Sequence, residues 1–497
     1  MSTEIELKLQ LTPKMAKKLA SHPLLANIAP QKQRLLNTYY DTPQLALHAR
    51  RIAMRFRKKG WQWLLTVKSA EPASGGLAMR SEWETQATPG VFDFSHVDNE
   101  ELRHFLEQAS GQLEPVFTTD FRRQIWHVPF GESLIELAVD RGTIESRGKS
   151  TPICEIELEL LSGQVADIFG LTRLLQEKLD LHPAIASKAE RGYKLFLDEP
   201  LLPFRAKPVE LNADTTPIEA FRRIALGSLE HFQRNEAGIL ISIDPEFVHQ
   251  ARVALRRLRS ALKLFAPVLP SEFVTAYGQT WQTLASALGE ARNLDVFLTE
   301  ILPPVVDAFP DDSDIRRLGK KVQQRSKEAR KSIVKLLAVR EYPQLLIEFT
   351  SAIHSLGEAT QSSLPDFASQ QITHLAHRAR NCAKYHQSLS QAQRHRMRIA
   401  FKKLRYTIEF FSPLLSRKQF SAYTTALERL QDELGQINDY ATANEIIREL
   451  LSKRPLSPIH GWMLGRHSLL ISQLPGSIEI WQGHRTPAVK LTQKAVK

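Results

Sequence analysis

The chain has 497 residues, more than one ordinary hydrophobic core accommodates, so two or three domains are expected. Its 42% hydrophobic and 24% charged content is ordinary for a soluble globular protein, and its two cysteines, Cys154 and Cys382, make no disulfide framework. The formal charge of +12 points to an anionic partner: nucleic acid, a phosphorylated small molecule or anionic lipid.

The N-terminus MSTEIELKLQ carries acids and no apolar run, which argues against a signal peptide, and no later apolar run is long enough to span a bilayer. A cytoplasmic protein without a membrane partner is expected, and the cysteine usage suits a reducing compartment. Up to about Leu197, β-branched and aromatic residues alternate with polar ones between turns. IELKL (5–9), RIAMRFRKKG (51–60), WQWLLTVK (61–68), RSEWET (80–85), RQIWHV (123–128), SLIELAVD (133–140) and EIELEL (155–160) read as strands of an antiparallel sheet. Short helical patterns interrupt them near Pro13–Ala26, Asn99–Ala109 and Gly163–Leu181. Residues 198–217 carry Pro200, Pro203, Pro208 and Pro217 without periodicity, which marks a linker. Beyond it the pattern is helical, broken at Pro267/Pro270, Pro303–Asp314, Leu364-Pro365, Ser412-Pro413 and Pro455–Pro458. The expected fold class is α+β: a strand domain over 1–200, a linker over 201–217, an all-α domain over 218–475 and a loosely structured tail over 476–497.

The strands put charge where a core face would be. Side chains alternate with period two, so Glu4, Glu6 and Lys8 share a face opposite Ile5, Leu7 and Leu9. Arg51, Arg55 and Arg57 oppose Ile52, Met54 and Phe56. Thr66 and Lys68 oppose Leu65 and Val67. Arg80, Glu82 and Glu84 share a face, as do Glu136 and Asp140, and Glu155, Glu157 and Glu159. A solvated face would mix Thr, Ser, Gln and Lys; this one is mostly ionised. Carboxylates about 4 Å apart repel by roughly 4 kcal/mol at an effective dielectric near 20, so clustered Glu needs cations beside it. Oxygen-only ligands suit Mg²⁺ or Mn²⁺ rather than zinc, and Arg forks fit phosphate oxygens. The combination predicts a metal–phosphate site inside a β-barrel whose apolar residues face outward under the short helices.

Glu4-x-Glu6-x-Lys8 resembles the signature of the CYTH family, which includes class IV adenylate cyclases, thiamine triphosphatases and triphosphate tunnel metalloenzymes. Tyr39-Tyr40-Asp41-Thr42, Arg55-x-Arg57, Lys68, Glu82-x-Glu84, Arg123, Glu136 with Asp140, the Glu155/Glu157/Glu159 run and Lys188-x-x-Arg191-Gly192-Tyr193 match its later motifs in order. The resemblance covers roughly 1–200 and implies an eight-stranded antiparallel tunnel binding triphosphate and a divalent metal. It implies that Glu4 and Glu6, with one or more of Glu155, Glu157 and Glu159, hold the metal. It further implies that Lys8, Arg55, Arg57, Lys68, Arg123, Lys188 and Arg191 grip phosphates. Glu82, Glu84, Glu136 and Asp140 are candidates for a second metal or for orienting the attacking water, and Lys8 is counted with the catalytic set. The shared parity of the three late glutamates leaves their ligand assignment open, and whether Arg122 or Arg123 points inward is also open.

The helical half repeats itself. His249, Arg252, Arg256, Arg257, Arg259 and Phe265 recur as His395, Arg398, Lys402, Lys403, Arg405 and Phe411, each 146 residues on. Phe221, Leu229, His231 and Asn235 recur as Phe367, Leu375, His377 and Asn381. Repeats of about 218–360 and 364–475 follow, with about four main helices each. His249, Arg252, Arg256, Arg259 and Lys263 form one helix stripe beside an apolar stripe of Ala251, Leu255, Leu258, Leu262 and Phe265. In the second copy Glu409 replaces Lys263. Two such stripes related by a pseudo-two-fold are expected to converge into one basic groove. The pattern His-x₂-Arg-x₃-Arg-Arg-Leu-Arg resembles the CHAD family, as do Leu288-Gly289-x₂-Arg292-Asn293 and Leu434-Gly435-x₂-Asn438-Asp439. The match covers about 215–475 and implies binding of inorganic polyphosphate, with His249, Arg252, Arg256, Arg259, His395, Arg398, Lys402 and Arg405 as contacts. His374 and His377 lie i, i+3 on a helix without an evident third metal ligand.

The expected activity is metal-dependent hydrolysis of tripolyphosphate to pyrophosphate and phosphate, with Mg²⁺ (or Mn²⁺) as cofactor and polyphosphate held by the helical half. Nucleic acid is the less favoured polyanion, and the oligomeric state is open. The alternatives are adenylate cyclase or nucleoside- or thiamine-triphosphatase chemistry on the same tunnel, or a non-enzymatic polyphosphate scaffold.

Overall fold

The computed structural model describes residues 2–69, 75–357, 362–384, 389–451 and 458–489. The chain divides into two compact units, Met1–Leu202 with Val339–Ser355, and Pro203–Ala338 with Leu356–Lys497.

The first unit is built in the order β1 (Ser2–Gln10), α1 (Pro13–Leu19), β2 (Gln31–Asp41), α2 (Ala46–Ala49), β3 (Ile52–Lys59), β4 (Gln62–Ser69), β5 (Leu77–Gln86), α3 (Glu100–Ala109), β6 (Glu114–Phe130), β7 (Ser133–Ser146), β8 (Lys149–Ser162), α4 (Val165–Gln176), β9 (His182–Pro183) and α5 (Lys188–Leu197). The sheet runs β5-β4-β3-β2-β6-β7-β8-β1, and β1 pairs again with β5, so eight antiparallel strands close a barrel, with the two-residue β9 added beside β1. Arg147 (φ 49°) and Gly148 (φ 74°) make the two-residue turn between β7 and β8, the left-handed geometry that matches strand twist.

The barrel is inverted, as the alternation predicts. Leu7, Leu9, Leu137, Val139, Ile156 and Leu158 face outward and are buried under Ile168, Phe169, Leu171 and Leu175 of α4 and Leu19 of α1. Met54, Phe56, Leu65, Val67 and Trp83 pack under Leu106 and Ala109 of α3. Strand β2 lies outside the segments singled out by alternation. Its inward residues Asn37 and Tyr39 break the charged pattern, although both are buried. Arg51 leaves the β3 face altogether: it is exposed, with φ 58°, just before the strand.

The YYDT segment holds the fold together at one end. Asp41 is fully buried; its carboxylate accepts from the backbone N–H groups of Thr42, Leu47 and His48 and from the Tyr193 hydroxyl at 2.8 Å. It therefore ties the start of α2 to α5. Gly192 permits this packing, because a Cβ there would meet the Phe117 ring at 2.2 Å.

The second unit contains α6 (Pro217–Ile241), α7 (Pro245–Leu264), α8 (Ser271–Val296), α9 (Leu302–Ala308) and α10 (Ser313–Ala338); α12 (Leu364–Cys382), α13 (Gln391–Phe410), α14 (Arg417–Leu450) and α15 (Pro458–Gly483) follow. Helices α7 and α13 start and stop at positions 146 apart, capped by Asp244 and Ser390. The repeat mates Phe265 and Phe411 lie 5.9 Å apart, with Phe221 on Phe265 (5.7 Å) and Phe367 on Phe411 (6.2 Å). The duplication thus meets itself around an aromatic cluster.

Three details differ from the sequence reading. Helix α15 continues to Gly483, beyond the start expected for a loose tail, with Ser477, Ile478 and Trp481 buried; residues 490–497 and most of the Pro455–Pro458 break lie outside the described residues. The linker is partly fastened: Asn235 bonds both the N–H and the C=O of Phe204, and Leu211 is buried. Helix α11 (Glu341–His354), inside the stretch read as the first helical repeat, packs within the barrel unit, where Ile347 joins the core under α4.

Candidate functional site

The barrel encloses a cavity of about 110 Å³ lined by side chains from β1, β2, β3, β4, β5, β6, β8 and α5. Glu4, Glu6, Lys8, Arg55, Arg57, Lys68, Glu82, Arg123, Glu157, Glu159 and Lys188 all reach it, brought together from positions up to 184 apart. Of the remaining predicted residues, Glu84 pairs with Arg57 at 3.5 Å, and Glu136 sits 3.4 Å from His127. Arg191 donates to Glu155 at 3.0 Å and to the Pro152 carbonyl, and so clamps β8. Arg123 points inward, whereas Arg122 is exposed. Among the late glutamates, Glu157 and Glu159 line the cavity, while Glu155 is buried against Lys188 and Arg191.

The charges sort into two zones. In the first, Lys188 lies 2.6 Å from Asp140, 2.5 Å from Glu155 and 2.9 Å from Glu157. Arg123 makes paired 2.7 Å bonds to Asp140 and a 2.5 Å contact with Glu157. Although burial opposes it, Lys188, Lys8 and Arg123 hold Glu157 well below the usual carboxylate range. Asp140, Glu155 and Glu157 approach closely enough to share a metal, but an ammonium and a guanidinium already bridge them. In the second zone carboxylates outnumber cations. Lys68 contacts Glu4 (2.7 Å) and Glu82 (2.8 Å), but burial and the charges of Glu4, Glu136 and Glu82 push Glu159 up to about 7, with Lys68 only partly offsetting them. An oxygen-only carboxylate excess of this kind is the chemistry that a hard divalent cation neutralises.

Sequence reasoning passed over Asn37, and gave no site role to Arg80 on the charged face or to Tyr39 in its matched motif. Arg80 is buried 3.0 Å from Glu6, and its parity with Glu82 was the available signal. Asn37 accepts from Arg57 Nε at 3.0 Å, and the Tyr39 hydroxyl accepts from Arg55 at 3.1 Å. They orient the two guanidinium groups.

In the helical unit the two basic stripes face each other. Burial and then Arg256, Arg398, Arg252 and Arg405 depress Lys402 to about 6. Burial, Arg256 and Arg398 pull Arg252 down to about 10, and burial with Arg292 lowers His249 to about 4. The Tyr406 ring lies between the stripes, 5.4 Å from Arg256 and 5.6 Å from Arg405. Glu409 pairs with Arg257 (2.8 Å) and Arg405 (2.9 Å), so acidic neutralisation is greater than the stripe pattern indicates. Asp439 also faces Arg398 and Arg252. Arg259 donates to Gln282 at 3.2 Å, and His395 is exposed. His374 and His377 are exposed on α12. Among the described residues no helix is long and apolar enough to cross a membrane.

The structure therefore joins a charged-lumen β-tunnel to a duplicated, basic helical bundle. The CYTH domain family model matches residues 2–193, and the CHAD domain model matches residues 223–448. A CHAD domain from the plant Ricinus communis is 32% identical, covering 58% of this chain and 99% of its own, with a TM-score of 0.50. The chain belongs to the CHAD family through its helical half and carries a CYTH domain in its barrel half. Over 199 residues it is 36% identical to the inorganic triphosphatase of Haemophilus influenzae, a match spanning 39% of this chain and 55% of that relative. A putative adenylyl cyclase from Hippeastrum matches 40% of this chain and 98% of its own at 21% identity, with a TM-score of 0.30.

Proposed function

We propose that the tunnel hydrolyses tripolyphosphate to pyrophosphate and phosphate with Mg²⁺, Mn²⁺ being the substitute, and that the helical groove holds polyphosphate. The observation that carries this reading is the division of the lumen into a cation-rich wall and a carboxylate-rich wall around one cavity. Apart from Tyr39 and Phe121, its lining side chains are charged or small, which suits a chain of phosphates better than a nucleobase or thiazole ring. The inorganic triphosphatase of Haemophilus influenzae supports triphosphatase activity in the tunnel.

Arg55, Arg57, Lys68, Arg123 and Lys188 would bind the phosphate oxygens, exchanging carboxylate partners for substrate. Arg forks hold them bidentately, and the ammonium groups stabilise charge on the transferred phosphoryl group. Glu4, Glu6 and Glu159 would hold the cation, whose contribution when bound is to neutralise phosphate charge and acidify water. Glu82 and Glu136 stand beside that zone and would orient the attacking water. Asp140 would act at a remove, by holding Arg123 and Lys188.

The test is phosphate release from tripolyphosphate, ATP and thiamine triphosphate with Mg²⁺, for the wild type and Glu6→Ala. Tripolyphosphate should be the best substrate, and Glu6→Ala should lose most of the rate. Cyclic AMP formation, or faster turnover of ATP, would overturn the reading.

A further inference from the structure

The main chain of Lys8 is gripped from two sides. Its N–H donates to the Gly76 carbonyl at 2.9 Å, and its carbonyl accepts from Ala184 N–H at 2.8 Å. Both grips are close-fitting. A Cβ on Gly76, which has φ 89°, would lie 2.8 Å from the Lys8 carbonyl oxygen and 3.0 Å from Pro183. The Lys8 ammonium then reaches Glu6 (3.1 Å) and Glu157 (3.2 Å) on the tunnel wall.

Helix α11 lies behind both grips. A Cβ on Gly75 would overlap Thr350 Oγ1 at 1.8 Å, so Thr350 bears directly on the Gly75-Gly76 segment. Tyr342 stands 6.4 Å from His182 of β9, two residues before Ala184. The helix is itself anchored: Ile347 is fully buried, His354 stacks on Phe169 at 6.1 Å, and Arg340 donates to the Gln176 carbonyl. Its sequence comes from the helical half, only two residues after α10.

We propose that α11 is a positioning element of the tunnel, in which Thr350, through Gly75 and Gly76, sets the Lys8 ammonium against the reacting phosphate. A helix whose sequence lies among the helical repeats is thereby part of the barrel's catalytic unit. The proposal rests on the triphosphatase reading above.

A double-mutant cycle in the full chain tests it, because residues acting through one another give non-additive losses. Gly75→Ala approaches the contact from the loop and Thr350→Leu from the helix; one folded variant suffices, judged by cooperative unfolding and retained polyphosphate binding. Each should lower kcat for tripolyphosphate by about tenfold or more, since misplacement near 1 Å costs on that scale. In a Lys8→Ala background the same change should cost less than about twofold. Unchanged kcat, or losses that multiply with that of Lys8→Ala, would overturn the proposal. Absence of tripolyphosphate hydrolysis by the wild type would instead overturn the function assigned to the tunnel.

Discussion

Lys188 Nζ lies 2.6 Å from Asp140 Oδ2, although the two residues come from a helix and a strand 48 positions apart. Asp140 is fully buried, and both its oxygens are also bonded to Arg123. Removing one partner of such a group leaves an uncompensated buried charge, which typically costs about 3–5 kcal/mol. Asp140→Asn should therefore destabilise the barrel unit by about 3 kcal/mol, read as a fall in the urea midpoint. It should also raise KM for tripolyphosphate as Arg123 and Lys188 lose their orientation. An unchanged midpoint would remove Asp140 from this role.

Glu159 would make the proposed cation site pH-dependent. Its folded carboxyl is raised from 4.5 to about 7. Between those values the folded chain keeps a proton that the unfolded chain has released. Stability from this group is thus fullest below about pH 4.5 and declines as pH rises through 7. A bound divalent cation favours the ionised form and offsets the decline. Mg²⁺ should raise Tm more at pH 8 than at pH 6, and Glu159→Gln should abolish the difference. Equal Mg²⁺ effects at both values in the wild type would count against this site.

Lys402 carries the opposite sign. Its folded ammonium is depressed from 10.5 to about 6, so the folded chain holds fewer protons than the unfolded chain between these values. Its electrostatic cost is full below about pH 6 and fades as pH rises towards 10.5. A polyanion in the groove restores the proton, so binding takes one up. Polyphosphate affinity should fall between pH 6 and pH 8, and Lys402→Arg should flatten the slope. A slope unchanged in that variant would assign the proton elsewhere.

Phe265 stands at the seam of the two repeats, against Phe221, Phe367 and Phe411. Phe265→Ala should cost the helical unit about 3–5 kcal/mol, the usual range for a buried aromatic, and weaken polyphosphate binding. Charge reversal at Arg256 and Lys402 should abolish that binding, leaving tripolyphosphate turnover within about twofold if the groove is an accessory. A fall in binding without any loss of stability in Phe265→Ala would contradict the seam.

The alternation of charge with Ile, Leu and Val determined much of the barrel by itself. Period two places Glu4, Glu6, Lys8, Arg55, Arg57 and Lys68 on one face wherever their strands lie, and the burial of Leu7, Met54 and Val67 requires that face to turn inward. The 146-residue offset likewise determined a pseudo-symmetric helical half, because equal sequences bury equal faces. Partners across space were decided only by the tertiary structure. Register sets Glu6 beside Glu159 and Lys8 beside Glu157, and so separates the neutralised carboxylates around Lys188 from the uncompensated ones around Glu159. The apolar face of α11 carries no address; the fit of Ile347 and Thr350 against the barrel's outer surface places this helix, written among the helical repeats, behind Lys8. Local pattern reports which face of an element is buried, whereas long-range packing decides what that face meets.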